Sequence, residues 1–335
     1  MLRSFVFVIS LLLKAIFRFI ALCTCHSLVF NPLFLVWADS HQRAGALKVT
    51  IPSFGPSGEV IWRLKAEEVT PLDQSQYHVL SPNLITISQN SFLTDAWSKE
   101  GLFDIKNGIA KGNSILEVKG IGFQAKGKTW EWRERDSMGI HRMTLADKGV
   151  VKFDSSVPAI LTTTNSAEPK VNDLLSEENK GVPVEETIAS AEVIEFLSYE
   201  SGAYKFSLAG NVFIEGQDLS ISCSNMEIII DRDDNQSESK FGSISSVFAE
   251  GQVEMKQIGR ICRANQITLN TLDGTGVLEG NASVEDEQWG TATGERILLD
   301  KSSGKARVEG MEKQRPQVVL PNLGEFRLPG FKSSK

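Results

Sequence analysis

The sequence predicts an all-β protein of stacked antiparallel hairpins behind an N-terminal apolar helix. Three observations carry that prediction. A nine-residue motif recurs along the chain, each copy alternates apolar and polar positions, and helical periodicity is nearly absent after the first 38 residues. The strongest copies align without gaps: CSNMEIIID from Cys223, CRANQITLN from Cys262 and ATGERILLD from Ala292. Weaker copies are AKGKTWEWR from Ala125 and ASAEVIEFL from Ala189. The sixth and eighth columns are always large and apolar: Ile228 and Ile230, Ile267 and Leu269, Ile297 and Leu299, Trp130 and Trp132, Ile194 and Phe196. The fifth and seventh columns are mixed, with Glu227, Gln266, Arg296, Thr268, Glu195 and Glu131 among them. A period of two with one apolar face marks a half-buried strand.

Each copy runs into a turn-forming stretch that reaches a glycine, as in NTLDG, DKSSG and LSYESG. A second strand then leads to another glycine motif, as in GIAKGN, SLAGNV, GVLEGN and KARVEG. The unit is therefore strand, turn, strand and a Gly-Asn bend, recurring at about 30–40 residues, as expected of hairpins that stack to bury a shared face.

In chain order, residues 1–38 form the apolar leader. Arg3, Lys14 and Arg18 are its only formal charges, and 19–38 is an uncharged run of twenty residues. A helix of that length spans a bilayer core of ~30 Å, and the basic residues ahead of it keep that end in the cytoplasm. Val36-Trp37-Ala38 before Asp39 is a small-residue pattern that a signal peptidase cuts, so cleaved signal peptide and retained anchor are both open readings. Either one exports the rest of the chain. Residues 44–160 form a first β region and 188–313 a second. Between them 161–187 holds six acidic residues, two basic residues and two prolines, which reads as an acidic flexible linker with at most a marginal helix over 171–176. A polar insertion at 231–240 reads as a long hairpin loop, and 314–335 as a tail that ends the fold.

Charge and composition exclude several functions. The net charge is −7 and the pI about 5.3, whereas nucleic-acid binding needs a basic face. The histidines His26, His41, His78 and His141 sit near no recognisable nucleophile motif, so no catalytic residue is assigned and no enzyme activity expected. Cys23-Thr24-Cys25-His26 has one residue between its cysteines where haem attachment needs two. Asp231, Asp233 and Asp234 alternate like calcium ligands but lack the glycine and glutamate of an EF-hand loop. No metal or cofactor is expected. Cys223 and Cys262 occupy one column of the repeat, which leaves two readings: a disulfide in an oxidising compartment, or two small core thiols.

The order of these motifs resembles the OstA-like, or Lpt-type, periplasmic proteins that carry lipopolysaccharide between membranes. The first half, through GEVIWRLKAEEV from Gly58, GIAKGNSILEV and FQAKGKTWEW, is most similar to the membrane-anchored LptC-like branch. The second half, through AGNVFIEGQDLSISCSNMEIIID, EGQVEMKQIGRICRANQITLN and EGNASVEDEQWGTATGERILLD, is most similar to the soluble LptA-like branch. The chain departs from the family pattern in joining two such regions.

The resemblance implies open β-jellyroll domains that shelter acyl chains in an apolar groove, outer-membrane biogenesis as the role, and a periplasmic location, soluble or held at the inner membrane. It implies lipopolysaccharide or a related lipid as ligand, and edge-to-edge strand pairing with other Lpt-type β-jellyroll proteins. Trp130, Trp132, Phe196, Phe206, Ile228, Ile230, Ile267, Leu269, Ile297 and Leu299 are the expected groove wall. The alternative is a structural or surface β-repeat protein with a closed core, whose sheet edges bind other proteins.

Overall fold

A computed structural model describes residues 45–88, 91–134, 140–155, 157, 186–199, 201–216, 218–231, 243–288, 290–310 and 315–320. They form one antiparallel sheet of nineteen strands. The expected leader at 1–38, most of the linker and of the polar insertion, and the last fifteen residues of the tail lie outside the described residues. Among the described residues no helix is long and apolar enough to cross a membrane.

The first part of the sheet is forked. Strand β1 (Ala46–Phe54) pairs only with β2 (Val60–Pro71) among the described strands. The later half of β2 pairs with β3 (Gln76–Leu80), and its earlier half with β4 (Asn83–Ser88). From β4 one arm continues through β5 (Ser91–Ser98) and β8 (Leu116–Gly120) to the start of β9 (Phe123–Arg133). From β3 the other arm continues through β6 (Glu100–Asp104) and β7 (Ile109–Gly112) to the end of β9. At the fork Ser98 Oγ and Ser114 Oγ lie 2.7 Å apart, and Ser98 also donates to the carbonyl of Ile115.

From β9 onward single long strands run through both arms. They are β10 (His141–Phe153), β11 (Thr187–Ser198), β12 (Tyr204–Glu215), β13 (Leu219–Asp231), β14 (Ser243–Gln257), β15 (Arg260–Asn270), β16 (Thr275–Asp286) and β17 (Gly290–Asp300). At the end the fork returns: β18 (Lys305–Glu309) covers the later half of β17, and β19 (Gln317–Val319) the earlier half. The expected tail thus contributes a strand.

The long strands change arms at a corner built by the glycine motifs. Each even-numbered strand from β10 to β16 has two consecutive positive-φ residues in mid-strand: Asp147 and Lys148, Gly210 and Asn211, Gly251 and Gln252, Gly280 and Asn281. Glycine enters this region without steric cost, and asparagine tolerates it better than most residues. The ladder shifts register there on every strand pair from β10–β11 to β16–β17. An even strand turns three residues outward, such as 209–211, where its neighbour turns two, 224–225. The extra residue is a β-bulge, which bends the strand and keeps both arms burying the same face.

That buried face holds one hydrophobic core. Phe123 and Phe153 on one arm meet Phe206 on the other at ring-centroid distances of 4.9 and 5.2 Å, both edge-on. Trp62 packs edge-on against Phe103 and Trp132 in the same way. The arms therefore face each other across the core.

The two β regions expected as separate domains are joined in this sheet. Strand β10 pairs with β11 from His141 opposite Ser198 to Phe153 opposite Thr187. Thr187, placed in the linker by composition, opens β11 and is fully buried. A hydroxyl at a core position looks like linker by composition, but here Thr187 Oγ1 accepts the Val157 N–H.

Candidate functional site

The five motif copies fall on the odd strands β9, β11, β13, β15 and β17. All ten expected wall residues point inward. Trp130 is 5% exposed, Phe196 2%, Trp132, Ile230 and Leu299 1%, and Phe206, Ile228, Ile267, Leu269 and Ile297 0%.

The register places nine of them in two rows that cross the sheet from β9 to β18. One runs Trp132, Met143, Phe196, Phe206, Ile228, then Val247, Leu269, Gly276, Leu299 and Ala306. The other runs Trp130, Leu145, Ile194, Leu208, Met226, then Ala249, Ile267, Leu278, Ile297 and Val308. Ile230 lies in a third row with Tyr204 and Ile244. On the facing arm a matching row includes Val151, Ile214, Ile221, Met255, Cys262, Val284 and Val318. The even-strand members, among them Leu145, Leu208, Val247 and Leu278, escape the motif alignment because their corner interrupts the alternation one residue later.

The rows also displace one motif copy. Ile228, from column six on β13, stands level with Phe196 and Leu269, both from column eight. The β13 copy is thus offset by two residues, and a two-residue slip leaves every side chain on the same face, so alternation alone does not detect it. The offset separates the two cysteines. Cys262 and Ile221 both lie opposite Met255, so Cys223 sits two residues off that row and a whole strand away. Strands two ladder steps apart are ~9.5 Å from each other, beyond the reach of a disulfide. Both thiols are free and buried. Burial pushes their pKa values up, to about 11 for Cys223 and about 12 for Cys262.

The first row carries Trp132, Phe196 and Phe206 at the β9–β12 end but Gly276 and Ala306 at the β16–β18 end, while the second keeps Leu278 and Ile297 there before Val308. Where the side chains shrink, the space between the arms opens into a cavity of about 350 Å³. Ala292, Ile297, Ala306, Val308 and Val318 form apolar walls, and Arg260 and Asp286 stand at its edge. These two pair with each other at 12% and 10% side-chain exposure. In the same inner row Gln257, opposite Arg260, keeps both amide atoms buried without a hydrogen-bond partner. The far end of the interior is thus apolar along its length and polar at one rim.

The edges beside this interior are free among the described strands. Leu47 and Phe54 on β1 are 74% and 60% exposed, and Val318 and Val319 on β19 are 61% and 64% exposed. Unpaired backbone beside exposed apolar side chains is a template for strand addition. Of the histidines considered for catalysis, His141 is buried and stacks on Trp132 at 5.9 Å, while His78 lies 3.6 Å from Glu100 on the outer face. Among the described residues no cluster of three or more His, Cys, Asp or Glu side chains suits a metal ion. Asp231 ends β13, while Asp233 and Asp234 lie outside the described residues. No family model matches the sequence, and no curated protein matches it.

Proposed function

We propose that the folded sheet is an open β-jellyroll of the Lpt type that shields the acyl chains of lipopolysaccharide in the periplasm, on their way from the inner to the outer membrane. The observation that carries this reading is the cavity at the β17–β19 end, which continues the two apolar rows. An acyl chain in water costs ~0.8 kcal/mol per exposed methylene, so a continuous apolar lining removes a large transfer barrier without a chemical step. The lining behind the cavity is closed by its own side chains. A lipid enters by parting the arms from the small-residue end, exchanging side-chain contacts for acyl contacts of similar strength. At the aromatic end Tyr204 Oη donates to the Leu93 carbonyl at 2.7 Å across the interior, which resists parting there.

The exposed apolar edges of β1 and β19 favour a second role alongside the first, namely pairing with similar β-jellyrolls so that the lining continues from one protein to the next. The test is photo-crosslinking from single positions with lipopolysaccharide present. Adducts are expected at Ile297, Leu299 and Val308, and fewer at Phe206. Adducts at none of these four positions would sink the shielding role and leave edge binding as the function.

A further inference from the structure

At the β1–β2 end of the interior one carboxylate joins the two arms, and the lipid reading makes no use of it. Glu134 directly follows β9, on the arm that holds β3, β6, β7 and the end of β9. Its N–H donates to the Gly108 carbonyl at 2.7 Å, which fixes its backbone to the turn between β6 and β7. Its side chain crosses to the other arm. Glu134 Oε1 accepts the indole N–H of Trp62 at 2.8 Å and the hydroxyl of Ser53 at 3.0 Å. Trp62 lies in the half of β2 that pairs with β4, opposite Thr86, and Ser53 stands opposite Trp62 on β1. One oxygen therefore ties both strands of the β1–β2 hairpin to the far arm.

The surroundings make the tie both deliberate and easy to undo. A Cβ on Gly108 would stand 2.7 Å from Glu134 Oε2 and 2.8 Å from its Cβ, so a glycine there leaves the space in which the side chain lies. Glu134 and Ser53 are only partly buried, so water competes for the shared oxygen. Strand β1 pairs with no strand but β2 among the described strands, and its Val49 and Ile51 are only partly buried against the core. Behind the tie, Trp62 meets Phe103 and Trp132 of the far arm edge-on at 5.6 and 5.5 Å.

We infer that Glu134 is a releasable clasp on the β1–β2 end of the interior. Closed, it holds the hairpin against Phe103 and Trp132. Open, it lets the two arms part at that end while the rest of the sheet stays paired, as a local opening of low free energy. Both bonds end on one oxygen, so a single side-chain movement releases them together. The clasp works whether or not a lipid occupies the interior, so failure of the lipid reading leaves it standing.

Hydrogen exchange on the full chain, read by mass spectrometry without lipid, tests it. In Glu134→Ala the amides of residues 46–64 are expected to exchange roughly tenfold faster, the worth of a hydrogen bond to a charged group, and those of β13–β16 at the native rate. Ser53→Ala removes one donor from a partly exposed site and is expected to speed exchange over 46–64 roughly threefold, with an unchanged melting temperature. Native exchange over 46–64 in either variant would overturn the inference. So would an equal acceleration across β13–β16, which would make Glu134 a support of the whole fold rather than a clasp on one end.

Discussion

At the scale of single residues, environment decides what the side chains do. The Asp300 carboxylate accepts hydrogen bonds from Ser302 and Ser303 hydroxyls at 2.6 and 2.8 Å, and from both backbone N–H groups, in the turn between β17 and β18. The Ser302 hydroxyl first, then Ser303, holds its pKa down, from 3.8 to about 2. A depressed carboxylate stabilises the fold above its unfolded value and loses that contribution as pH falls through the folded one. The melting-temperature gap between the native chain and Asp300→Ala is therefore full at pH 6 and closes between pH 4 and 2. A gap that stays constant to pH 2 would remove the turn carboxylate from the account. The cysteines give a second measurement. With their pKa values near 11 and 12, Cys223 and Cys262 resist alkylation at pH 8 until the chain is unfolded. Peptide mapping after mild oxidation is expected to find no Cys223–Cys262 crosslink. Finding one would require β13 and β15 to be neighbours.

At the scale of elements, the Gly-Asn motif is a corner within a strand rather than a loop between strands. Gly280 has φ of +77°, and a Cβ there would fall 2.6 Å from Asn265 Nδ2 on the adjacent strand. Gly280→Ala therefore costs about 1–3 kcal/mol. Gly304 also has a positive φ, of 61°, but meets nothing within 4 Å, so Gly304→Ala at a hairpin turn costs less. Urea denaturation of the two variants checks the order; equal losses would show that backbone strain alone sets the cost. Three of the four corners are GN or GQ pairs, whereas the fourth is Asp147-Lys148 and carries no such mark. What the sequence hides is strand register. Period two identifies the inward face of β13, but only pairing with β12 and β14 shows its two-residue offset.

At the scale of the whole sheet, the two halves of the sequence share one interior. Phe123 and Phe153 from the first half pack on Phe196 and Phe206 from the second, and Tyr204 reaches Leu93. Residues 45–320 are thus expected to unfold in one cooperative transition, and two transitions by calorimetry would mean two separable domains. Phe206→Ala, which opens a space at the meeting point, costs about 3–5 kcal/mol and lowers that single transition as a unit. Tyr204→Phe leaves the Leu93 carbonyl buried without its donor and costs about 1–3 kcal/mol.

Local sequence pattern carries the all-β class, the inward face of the five motif strands and the hairpin turns that follow them. All of these follow from local rules, namely side-chain alternation and the conformations open to glycine and asparagine. Strand pairing joins the two β regions in one sheet, puts Cys223 and Cys262 in different rows, and leaves a cavity where the apolar rows end at β17–β19. It alone laid the Trp130 indole against Gly101 and Gly112. Each depends on which strand lies beside which and in what register, and a period-two pattern is unchanged by any shift of two residues.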